Sequence, residues 1–454
     1  MKNVYFVGIG GIGMSALARY FKAMGYAVAG YDKTPSPLTR KMSEEEGFSI
    51  TYTDDVREIT SLFKDKKSTL VVYTPAVPEE NRIFSYFRDN GYSLHKRAEV
   101  LGLISKDKKA LCIAGTHGKT TTTTMVAFLL NHSHVGCNAF LGGISANFGT
   151  NLLIDRKSDY VVIEADEFDR SFLHLHPEVA VITAMDADHL DIYGTHEKLL
   201  EAFEAFALQT KGPLFLRKGL TLQRAVTGFY AAGEKTDYYA DRLRVENGSY
   251  VFDYVFPEGV IKELRLCFPG RVNVENATAA ITVALQAGVT PDEIRMALPL
   301  FKGVARRFDV HVKNRDMIYI DDYAHHPKEI EAALSSIREM WPDKRLTVAF
   351  QPHLYSRTND FYPDFARGLS LADEVILLDI YPAREEPIPG VTSALIADRV
   401  TVPVKRVTKE DFPEYVKENV KEGVFVTMGA GDIDRFIPIF TKIFNDRRKS
   451  TYSV

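Results

Sequence analysis

The sequence predicts an α/β protein built from three domains, and three observations lead to this prediction. Apolar strand-like runs alternate with helical patterns along the whole chain, which is typical of α/β folds. The 454 residues correspond to about three domains at roughly 150 residues each. Two glycine-rich turns, Gly8–Gly13 and Gly115–Gly118, each lie between a strand-like run and a helical pattern. We therefore expect a Rossmann-like N-terminal domain, a central domain with a phosphate loop and a C-terminal α/β domain.

The first domain is predicted to span residues 1–106, the second 107–312 and the third 313–454. The charged stretch Ser105–Lys109 contains no apolar side chain, and it is the predicted linker between the first two domains.

The turn that follows the apolar run Ala110–Ile113 is the strongest functional signal, because it reads A-G-T-H-G-K-T-T and opens a helix. Glycines let backbone N–H groups converge on an anion, and the helix N-terminus favours negative charge. Lys119 is expected to reach the β- and γ-phosphates, and the Thr120 hydroxyl to hold Mg²⁺. The turn is shorter than the usual G-x-x-x-x-G-K-[ST] motif, and the alternative is a glycine-rich turn with a surface lysine. The residues of this turn predicted to bind ATP are Ala114, Gly115, Thr116, His117, Gly118, Lys119, Thr120 and Thr121. The central domain is therefore predicted to be a P-loop ATPase domain.

The N-terminal turn reads G-I-G-G-I-G after the apolar run Val4–Val7, and Asp32 ends the next strand-like run. This is a Rossmann-type fingerprint, with an acid about 20 residues on for a ribose hydroxyl. Taken alone, it indicates an NAD-dependent oxidoreductase, and the bland alternative is a turn whose glycines serve packing only.

Composition and charge exclude several classes of protein. The net charge of −4 gives no bulk attraction to nucleic acid or to an anionic membrane. No apolar run approaches the roughly 18 residues that span a bilayer, and the N-terminus lacks a charged leader. Cys112, Cys137 and Cys267 show no C-x-x-C spacing, as expected for free thiols in a reducing cytoplasm. We expect a cytoplasmic protein without a nucleic-acid or membrane partner.

Two clusters of acids follow strand-like runs of the central domain, at Glu164–Glu167 and Asp186–Asp191. Ligands of open α/β sheets bind beyond the carboxyl ends of strands, and Mg²⁺ prefers carboxylate oxygen. Glu164 is therefore a predicted Mg²⁺ ligand. His189 is predicted to serve a second cation or to orient an acyl-phosphate oxygen. The alternative for either cluster is a solvated acidic loop.

The C-terminal domain carries a dense polar turn, Asp321–Pro327, which is suited to binding a ribose or positioning a substrate. The alternative is helix capping by Asp322 or His326 before a proline at the first helical position. Arg357 is placed to grip a carboxylate through its planar fork, the alternative being a surface ion pair. The pair Arg306–Arg307 is expected either to stabilise a phosphoryl group or to bridge domains.

Taken together, the motifs resemble those of the Mur ligases of peptidoglycan synthesis, over nearly the whole chain. They are G-I-G-G-I-G-M-S-A at 8–16, G-T-H-G-K-T-T-T-T at 115–123, E-A-D-E-F-D at 164–169, A-D-H-L-D at 187–191, N-V-E-N-A at 273–277, R-R-F-D at 306–309, D-D-Y-A-H-H-P at 321–327 and F-Q-P-H-L-Y-S-R at 350–357.

The resemblance implies a reaction in which UDP-N-acetylmuramate and L-alanine are joined through an acyl phosphate, with ATP and Mg²⁺. An alternative within the family is the ligase that attaches a recycled tripeptide to UDP-N-acetylmuramate in cell-wall recycling. A folylpolyglutamate-type ligase also shares the ATPase core. The resemblance further implies a first domain that binds UDP and not NAD, and a Rossmann-like C-terminal domain that helps to bind the amino acid. Other classes stay open: an oxidoreductase would not explain Lys119, and a nucleotide-binding regulator would not need an extra substrate domain.

Residue roles carried over from the family are expectations of the same kind. The UDP substrate would contact Gly10, Gly11, Ile12, Gly13, Asp32 and Thr74. Asn276 would contact adenine, Asp322 the ribose and Arg307 the phosphates. Tyr323, His325 and Arg357 would bind the amino acid. Catalysis would rest on Lys119, Glu164 and His189, and the metal on Thr120, Glu164 and His189.

The sequence departs from the family pattern at two places. Relatives often carry Arg where this chain has Leu354, so the carboxylate clamp is expected to rely on Arg357. No lysine lies between Lys198 and Lys211, so the carbamoylated lysine of several sister ligases is not expected. The oligomeric state is expected to be a monomer or a weak homodimer.

Overall fold

The computed structural model describes residues 2–187, 190–246, 248–383 and 385–451. Its strands form three sheets of five, ten and six strands, and helices pack on each of them, so the predicted α/β class is confirmed. Among these residues, no helix is both long and apolar enough to cross a membrane. Short 3₁₀ turns lie at Val56–Glu58, Ser61–Lys64, Phe168–His174, Leu298–Leu300 and Asp432–Phe436.

The first sheet is parallel throughout, with the strand order β3-β2-β1-β4-β5. Its elements, in chain order, are β1 (Asn3–Val7), α1 (Ile12–Ala23), β2 (Ala27–Tyr31), α2 (Pro37–Glu44), β3 (Ser49–Thr51), β4 (Thr69–Tyr73), α3 (Arg82–Asp89), β5 (Ser93–Lys96) and α4 (Arg97–Asp107). The strand order reverses between β1 and β4. In open α/β sheets, ligands bind beyond the carboxyl ends of the strands at such a point, and the N-terminal glycine turn lies there.

The predicted linker Ser105–Lys109 is wrong, because helix α4 continues to Asp107 and the next strand starts at Lys109. Ser105 is buried. Its hydroxyl donates to the Gly102 carbonyl at 2.7 Å and accepts a hydrogen bond from the His176 N–H at 3.0 Å. A β-carbon on Gly102 would lie 2.3 Å from the His174 carbonyl oxygen. Small side chains here let α4 pack tightly on the central unit, so the stretch is not a flexible connection.

The second sheet places the strand before the phosphate loop in its interior, in the order β15-β14-β13-β12-β11-β10-β6-β9-β7-β8. Its elements are β6 (Lys109–Ala114), α5 (Lys119–Asn131), β7 (Asn138–Phe140), β8 (Leu152–Leu153), β9 (Tyr160–Ala165), β10 (Val179–Ile182), α6 (Leu190–Tyr193), α7 (His196–Gln209), β11 (Leu214–Arg217), β12 (Gly228–Ala232), β13 (Tyr238–Glu246), β14 (Ser249–Phe256), β15 (Gly259–Leu266), α8 (Arg271–Gln286) and α9 (Pro291–Ala297). β6 pairs in parallel with β9 and β10, so the acids that follow those strands meet at the phosphate loop.

The third sheet has the order β16-β17-β21-β18-β19-β20, with only β16 antiparallel to its neighbour. Its elements are β16 (Asp309–Lys313), β17 (Met317–Asp322), α10 (Pro327–Met340), β18 (Leu346–Phe350), α11 (Tyr355–Leu369), β19 (Glu374–Leu377), α12 (Ala394–Ala397), β20 (Val404–Arg406), α13 (Phe412–Asn419), β21 (Gly423–Met428) and α14 (Ile437–Thr451). The sheet therefore starts before residue 313.

Apolar packing continues from one unit to the next. Tyr20 of α1 and Phe140 of β7 lie 5.3 Å apart, ring centre to ring centre, within one buried cluster. Ala277 of α8 and Ile330 of α10 belong to a second buried cluster. Burial of apolar surface is the main favourable term in folding, so these shared clusters hold the three sheets in a defined arrangement around the loops between them.

Candidate active site

The phosphate loop is fixed by two glycines that no other residue can replace without strain. Gly115 has φ +133° and Gly118 has φ +80°, a region that L-residues rarely adopt. A β-carbon on Gly115 would lie 2.3 Å from Thr183 Oγ1, and one on Gly118 would lie 2.8 Å from Asn276 Oδ1. The Thr183 hydroxyl bonds the Ala114 carbonyl at 3.1 Å and also contacts the His117 carbonyl. The loop is thus held against the end of β10.

Lys119 begins helix α5 and is held by a buried carboxylate. Its Nζ lies 2.9 and 2.8 Å from the two carboxylate oxygens of Glu167, whose side chain is fully buried, and 3.9 Å from Asp166. Burial alone would lower the pKa of Lys119, but the two carboxylates raise it above its ordinary value. The predicted phosphate-binding lysine is therefore charged and already oriented.

Glu164 lies at the end of β9 and faces the start of the same helix. Its Oε1 accepts the Thr120 hydroxyl at 2.9 Å, and its Oε2 accepts the Gly142 N–H at 3.0 Å. Burial raises the pKa of Glu164 although Lys119 lies nearby. A small cavity of about 100 Å³ lies beside it, lined also by Arg307 and Glu329.

Two of the three predicted metal ligands lie side by side. Thr120 and Glu164 offer adjacent hard oxygen atoms. The third predicted ligand, His189, lies outside the described residues. Within the described part of the chain, no group of three or more His, Cys, Asp or Glu is arranged to hold a metal ion. Mg²⁺ usually keeps several waters and is shared with substrate phosphates, so two protein oxygen atoms are a sufficient start for such a site.

A cavity of about 430 Å³ opens beside the loop, between the second and third units. Six residues that were predicted to bind ATP line it together: His117, Gly118, Thr121, Asn276, Arg307 and Asp322. Residues that the sequence analysis did not single out also line it, among them Arg217, Tyr230, Glu275, Phe308, Lys328 and Glu329. A volume of this size is typical of small-molecule sites.

The side chains of Asn276 and Asp322 are fixed within the wall of this cavity. Asn276 accepts the Thr122 hydroxyl at 3.2 Å and donates to Asn273 Oδ1 at 3.0 Å. Asp322 accepts the N–H groups of Ala324 and Phe308 at 2.7 and 2.8 Å. Burial raises the pKa of Asp322 to about 6 despite Arg307. Asp322 thus shapes the turn and lines the cavity at once.

The two neighbouring arginines face different surroundings. Arg306 lies 3.2 Å from Asp321 and 3.3 Å from Asp434, and it donates to the Gly429 carbonyl at 2.7 Å. It therefore ties the connecting segment to the third unit. Arg307 instead lines both cavities beside the phosphate loop.

The polar turn after β17 forms an aromatic and basic cluster with the turn after β18. The guanidinium groups of Arg306 and Arg307 lie 5.1 and 5.0 Å from the ring centre of Tyr323. The His325 ring lies 5.2 Å from that of Tyr323 and 5.9 Å from that of His353. The capping interpretation of His326 is confirmed, since it is the N-cap of α10 ahead of a proline.

Arg357 belongs to this cluster electrostatically. Burial lowers the pKa of His325 and of His353, with Arg357 adding to the effect at both, and the pKa of His353 falls to about 4. His353 was not among the predicted site residues, although it stands in the same turn as Arg357. Leu354 has φ +71° and its N–H donates to the Tyr381 carbonyl at 3.0 Å. Its conformation, and not its side chain, shapes the entry to α11.

The N-terminal turn is closed by side chains from three neighbouring segments. The Gly10 N–H donates to Asp32 at 2.7 Å. Gly8 has φ +91°, and a β-carbon there would lie 2.4 Å from Thr74. A β-carbon on Gly13 would lie 2.3 Å from Arg97 Nε, a contact that the sequence did not predict. The structure thus gathers Gly10, Asp32 and Thr74 at the carboxyl ends of β1, β2 and β4. Gly11 and Ile12 lie at the start of α1.

Fold and site together define a nucleotide-dependent enzyme whose phosphate loop faces a cavity shared with the third unit, and comparison with known proteins specifies the family. Three family profiles match in order: the Mur ligase family catalytic domain at residues 3–109, the Mur ligase middle domain at 113–284, and the Mur ligase glutamate ligase domain at 306–431. The chain belongs to the Mur ligase family.

Several relatives match this chain over nearly its full length. The UDP-N-acetylmuramate–L-alanine ligase of Phocaeicola vulgatus is 52% identical over 98% of this chain and 99% of that relative. The ligase of the same name from Flavobacterium johnsoniae is 46% identical over 98% of both chains. Among solved structures, the UDP-N-acetylmuramate–alanine ligase of Thermotoga maritima matches with a TM-score of 0.77 and 28% identity, over 99% of both chains. A murein peptide ligase from Psychrobacter arcticus matches at 23% identity with a TM-score of 0.64, which is a likeness of fold alone.

Proposed function

We propose that this protein is an ATP-dependent ligase that joins UDP-N-acetylmuramate to L-alanine in the synthesis of peptidoglycan precursors. The observation that carries the proposal is the full-length identity of 46 to 52% to ligases of that name. The cleft supports it, since Lys119, Glu164 and Arg307 line its phosphate end. The tripeptide ligase of cell-wall recycling is the alternative, and only a likeness of fold favours it.

The proposed chemistry has two steps. The lactyl carboxylate of UDP-N-acetylmuramate attacks the γ-phosphate of ATP, ADP leaves, and an acyl phosphate forms. The amine of alanine then attacks the acyl carbon, a tetrahedral intermediate forms, and inorganic phosphate leaves. Phosphoryl transfer is catalysed mainly by positioning and by charge stabilisation. Lys119 and Arg307 are the cations placed for this purpose beside the small cavity.

We further propose that Mg²⁺ is held by Thr120 and Glu164, with His189 as an additional ligand. The residues fit a hard cation, because the Glu164 carboxylate lies 2.9 Å from the Thr120 hydroxyl at the wall of the small cavity. When bound, Mg²⁺ neutralises charge on the phosphate oxygens. The protein's own part is to aim these oxygen atoms at the phosphate end of the cleft.

The three units divide the substrates between them. We assign UDP binding to residues 1–106, through the turn Gly10–Gly13 with Asp32 and Thr74. ATP binding falls to residues 107–312, with Asn276 toward adenine. Residues 313–454 supply Asp322 toward the ribose and bind alanine, through the residues Tyr323, His325 and Arg357.

We also propose action in the cytoplasm as a monomer or weak homodimer. The three cysteines form no disulfide in the structure, as expected in a reducing compartment. Gel filtration at several protein concentrations tests the oligomeric state.

The function is tested by phosphate release from ATP in the presence of an amino-acid panel. We expect release to require both UDP-N-acetylmuramate and an amino acid, with L-alanine preferred. Release with the tripeptide but not with alanine would favour the recycling ligase. Hydrolysis that ignores both additions would favour a nucleotide-binding regulator and would contradict the proposal.

A further inference from the structure

Glu329 has no role in the proposed mechanism, yet it lies at the junction of the two sites that the mechanism uses. It stands in the first turn of α10 and lines both the 430 Å³ nucleotide cavity and the smaller phosphate cavity. Its side chain is only 18% exposed. A buried carboxylate requires partners that offset its desolvation.

One carboxylate oxygen fixes the alanine side of the cleft. Oε2 accepts the backbone N–H groups of His325 and His326 at 3.0 and 3.2 Å. These contacts form one half of a capping box at the start of α10. They hold the backbone of the turn that carries Tyr323 and His325.

The other carboxylate oxygen of Glu329 faces the nucleotide site. Oε1 lies 3.3 Å from Nδ1 of His117, which is part of the phosphate loop. It also lies 4.0 Å from Nη1 of Arg307. A second set of contacts also links α10 to the phosphate loop. Lys328 of α10 forms an ion pair with Asp186, and Asp186 lies 3.7 Å from Nε2 of His117.

Neighbouring groups stabilise the charged form of Glu329. Burial opposes ionisation, but His325, His117 and Arg307 together hold the pKa of Glu329 well below its ordinary value. The carboxylate is therefore an anion at neutral pH, and its contacts to His117 and Arg307 depend on that charge.

We propose that Glu329 is a positioning residue that couples the nucleotide site to the alanine-binding turn. One carboxylate holds the phosphate loop through His117 and holds the start of α10 through two backbone N–H groups. Occupation of the nucleotide site then favours the arrangement of the turn that receives alanine. The alanine part of this inference rests on the proposed function.

The test replaces Glu329 by Gln, which removes the charge but keeps an oxygen for the helix cap, because Gln also serves in capping boxes. Three quantities are measured: the dissociation constant of a non-hydrolysable ATP analogue with Mg²⁺, the KM values for alanine and UDP-N-acetylmuramate, and the melting temperature. Loss of a hydrogen bond to a charged group should weaken binding of the analogue about 10-fold or more. We expect the alanine KM to rise with it, and the KM for UDP-N-acetylmuramate and the melting temperature to change little.

The chain offers a matched control in Glu293. It completes the capping box of α9 and contacts a histidine, His134, at 2.9 Å, but it does not line either cavity of the cleft. Glu293→Gln should leave all three quantities unchanged. Equal behaviour of the two variants, a lower melting temperature alone in Glu329→Gln, or tighter binding of the analogue would overturn the proposal.

His117→Gln approaches the same contact from the other side and leaves the cap of α10 intact. The decisive expectation is a higher KM for alanine, although His117 lies on the phosphate loop. Residues that act through one contact show non-additive losses, so the double variant should lose less than the sum of the single losses. Additive losses would mean that the two residues act independently.

Failure of this inference differs from failure of the proposed function. If the wild-type protein released no phosphate with UDP-N-acetylmuramate and alanine, the proposed function would be wrong. The analogue titration needs no turnover, and unchanged affinity in Glu329→Gln would refute the positioning role in either case.

Discussion

The two glycine-rich turns of this molecule have the same backbone plan and very different surroundings. Each follows an interior parallel strand, β1 or β6, and each supplies a glycine as the N-cap of the next helix, Gly11 or Gly118. Around the first turn, Asp32 accepts a backbone N–H. Around the second, Lys119 is paired with buried Glu167, and Glu164 and Arg307 line the adjoining cavity.

The two turns show that binding a phosphate group and transferring a phosphoryl group have different requirements. A glycine turn at a helix N-terminus is sufficient to hold a phosphate group. Transfer of a phosphoryl group further requires fixed charges that stabilise the transition state. Removal of the phosphate-facing cation at the second turn should therefore act on kcat, and changes at the first turn on the affinity for the UDP substrate.

The largest effect is expected from Lys119→Ala. Removal of the cation aimed at the β- and γ-phosphates should lower kcat on the order of 10²-fold or more. Phosphate release with all substrates measures the loss. A folded Lys119→Ala protein with near-normal turnover would remove the distinction between the two turns.

The structure adds a consequence for stability that the sequence did not predict. Lys119→Ala leaves the fully buried Glu167 carboxylate without its lysine, and breaking a buried pair costs about 3–5 kcal/mol. The melting temperature should fall and should recover in the double variant Lys119→Ala/Glu167→Gln, while turnover stays low. Recovery of turnover as well would show that Lys119 has only a structural role.

Alanine is assigned to neither turn, and Arg357→Lys tests that assignment. Lysine keeps the charge but loses the fork that grips a carboxylate, so the KM for alanine should rise about 10-fold. The KM for ATP should change much less. The opposite pattern, a change for ATP without one for alanine, would place Arg357 at the phosphate site.

Glu164→Gln tests the proposed metal position at the second turn. Glutamine keeps the shape and one oxygen but loses the anion that attracts a divalent cation. The Mg²⁺ concentration for half-maximal rate should rise several-fold, with little change in the KM for UDP-N-acetylmuramate. A superimposable Mg²⁺ titration would show that the cation is held elsewhere.

The sequence predicted those features that a single local segment determines. The strands before both glycine turns, the acids at strand ends and the polar turn before Pro327 all have local signatures, and the structure has them where predicted. The prediction of a linker at Ser105–Lys109 was wrong. The stretch is charged, but Ser105 is buried and hydrogen-bonded within α4 and to His176.

The contacts between distant segments could not be read from the sequence. Glu167 with Lys119, Glu329 with His117, and Arg97 over Gly13 each join residues that only the folded sheets bring together. Each of these side chains is a common surface residue type, and nothing in its neighbours along the chain indicates its partner. His353 differs, because it follows the end of β18 as Tyr323 follows the end of β17, and both strands pair in parallel with β21. The carboxyl ends of parallel strands meet at one edge of a sheet, so the position of His353 after a strand was a usable signal.

The smallest effect is expected at the first turn, from Gly10→Ala. A β-carbon there would lie 2.7 Å from both Asp32 Oδ2 and Thr39 Cγ2, so the turn must shift and its hydrogen bond to Asp32 must lengthen. Because this bond is lengthened and not removed, binding of UDP-N-acetylmuramate should weaken only about 2- to 3-fold. The kcat at saturating substrate and the affinity for an ATP analogue should stay unchanged, because the fixed charges of the second turn are untouched.

Gly11→Ala is the structural control, since its β-carbon would find no atom closer than 3.7 Å and the melting temperature should not move. Calorimetry on the wild-type protein completes the test: UDP-N-acetylmuramate should bind and NADH should not. Tight NADH binding, or a kcat that falls in Gly10→Ala while the substrate affinity stays constant, would show that the first turn takes part in chemistry.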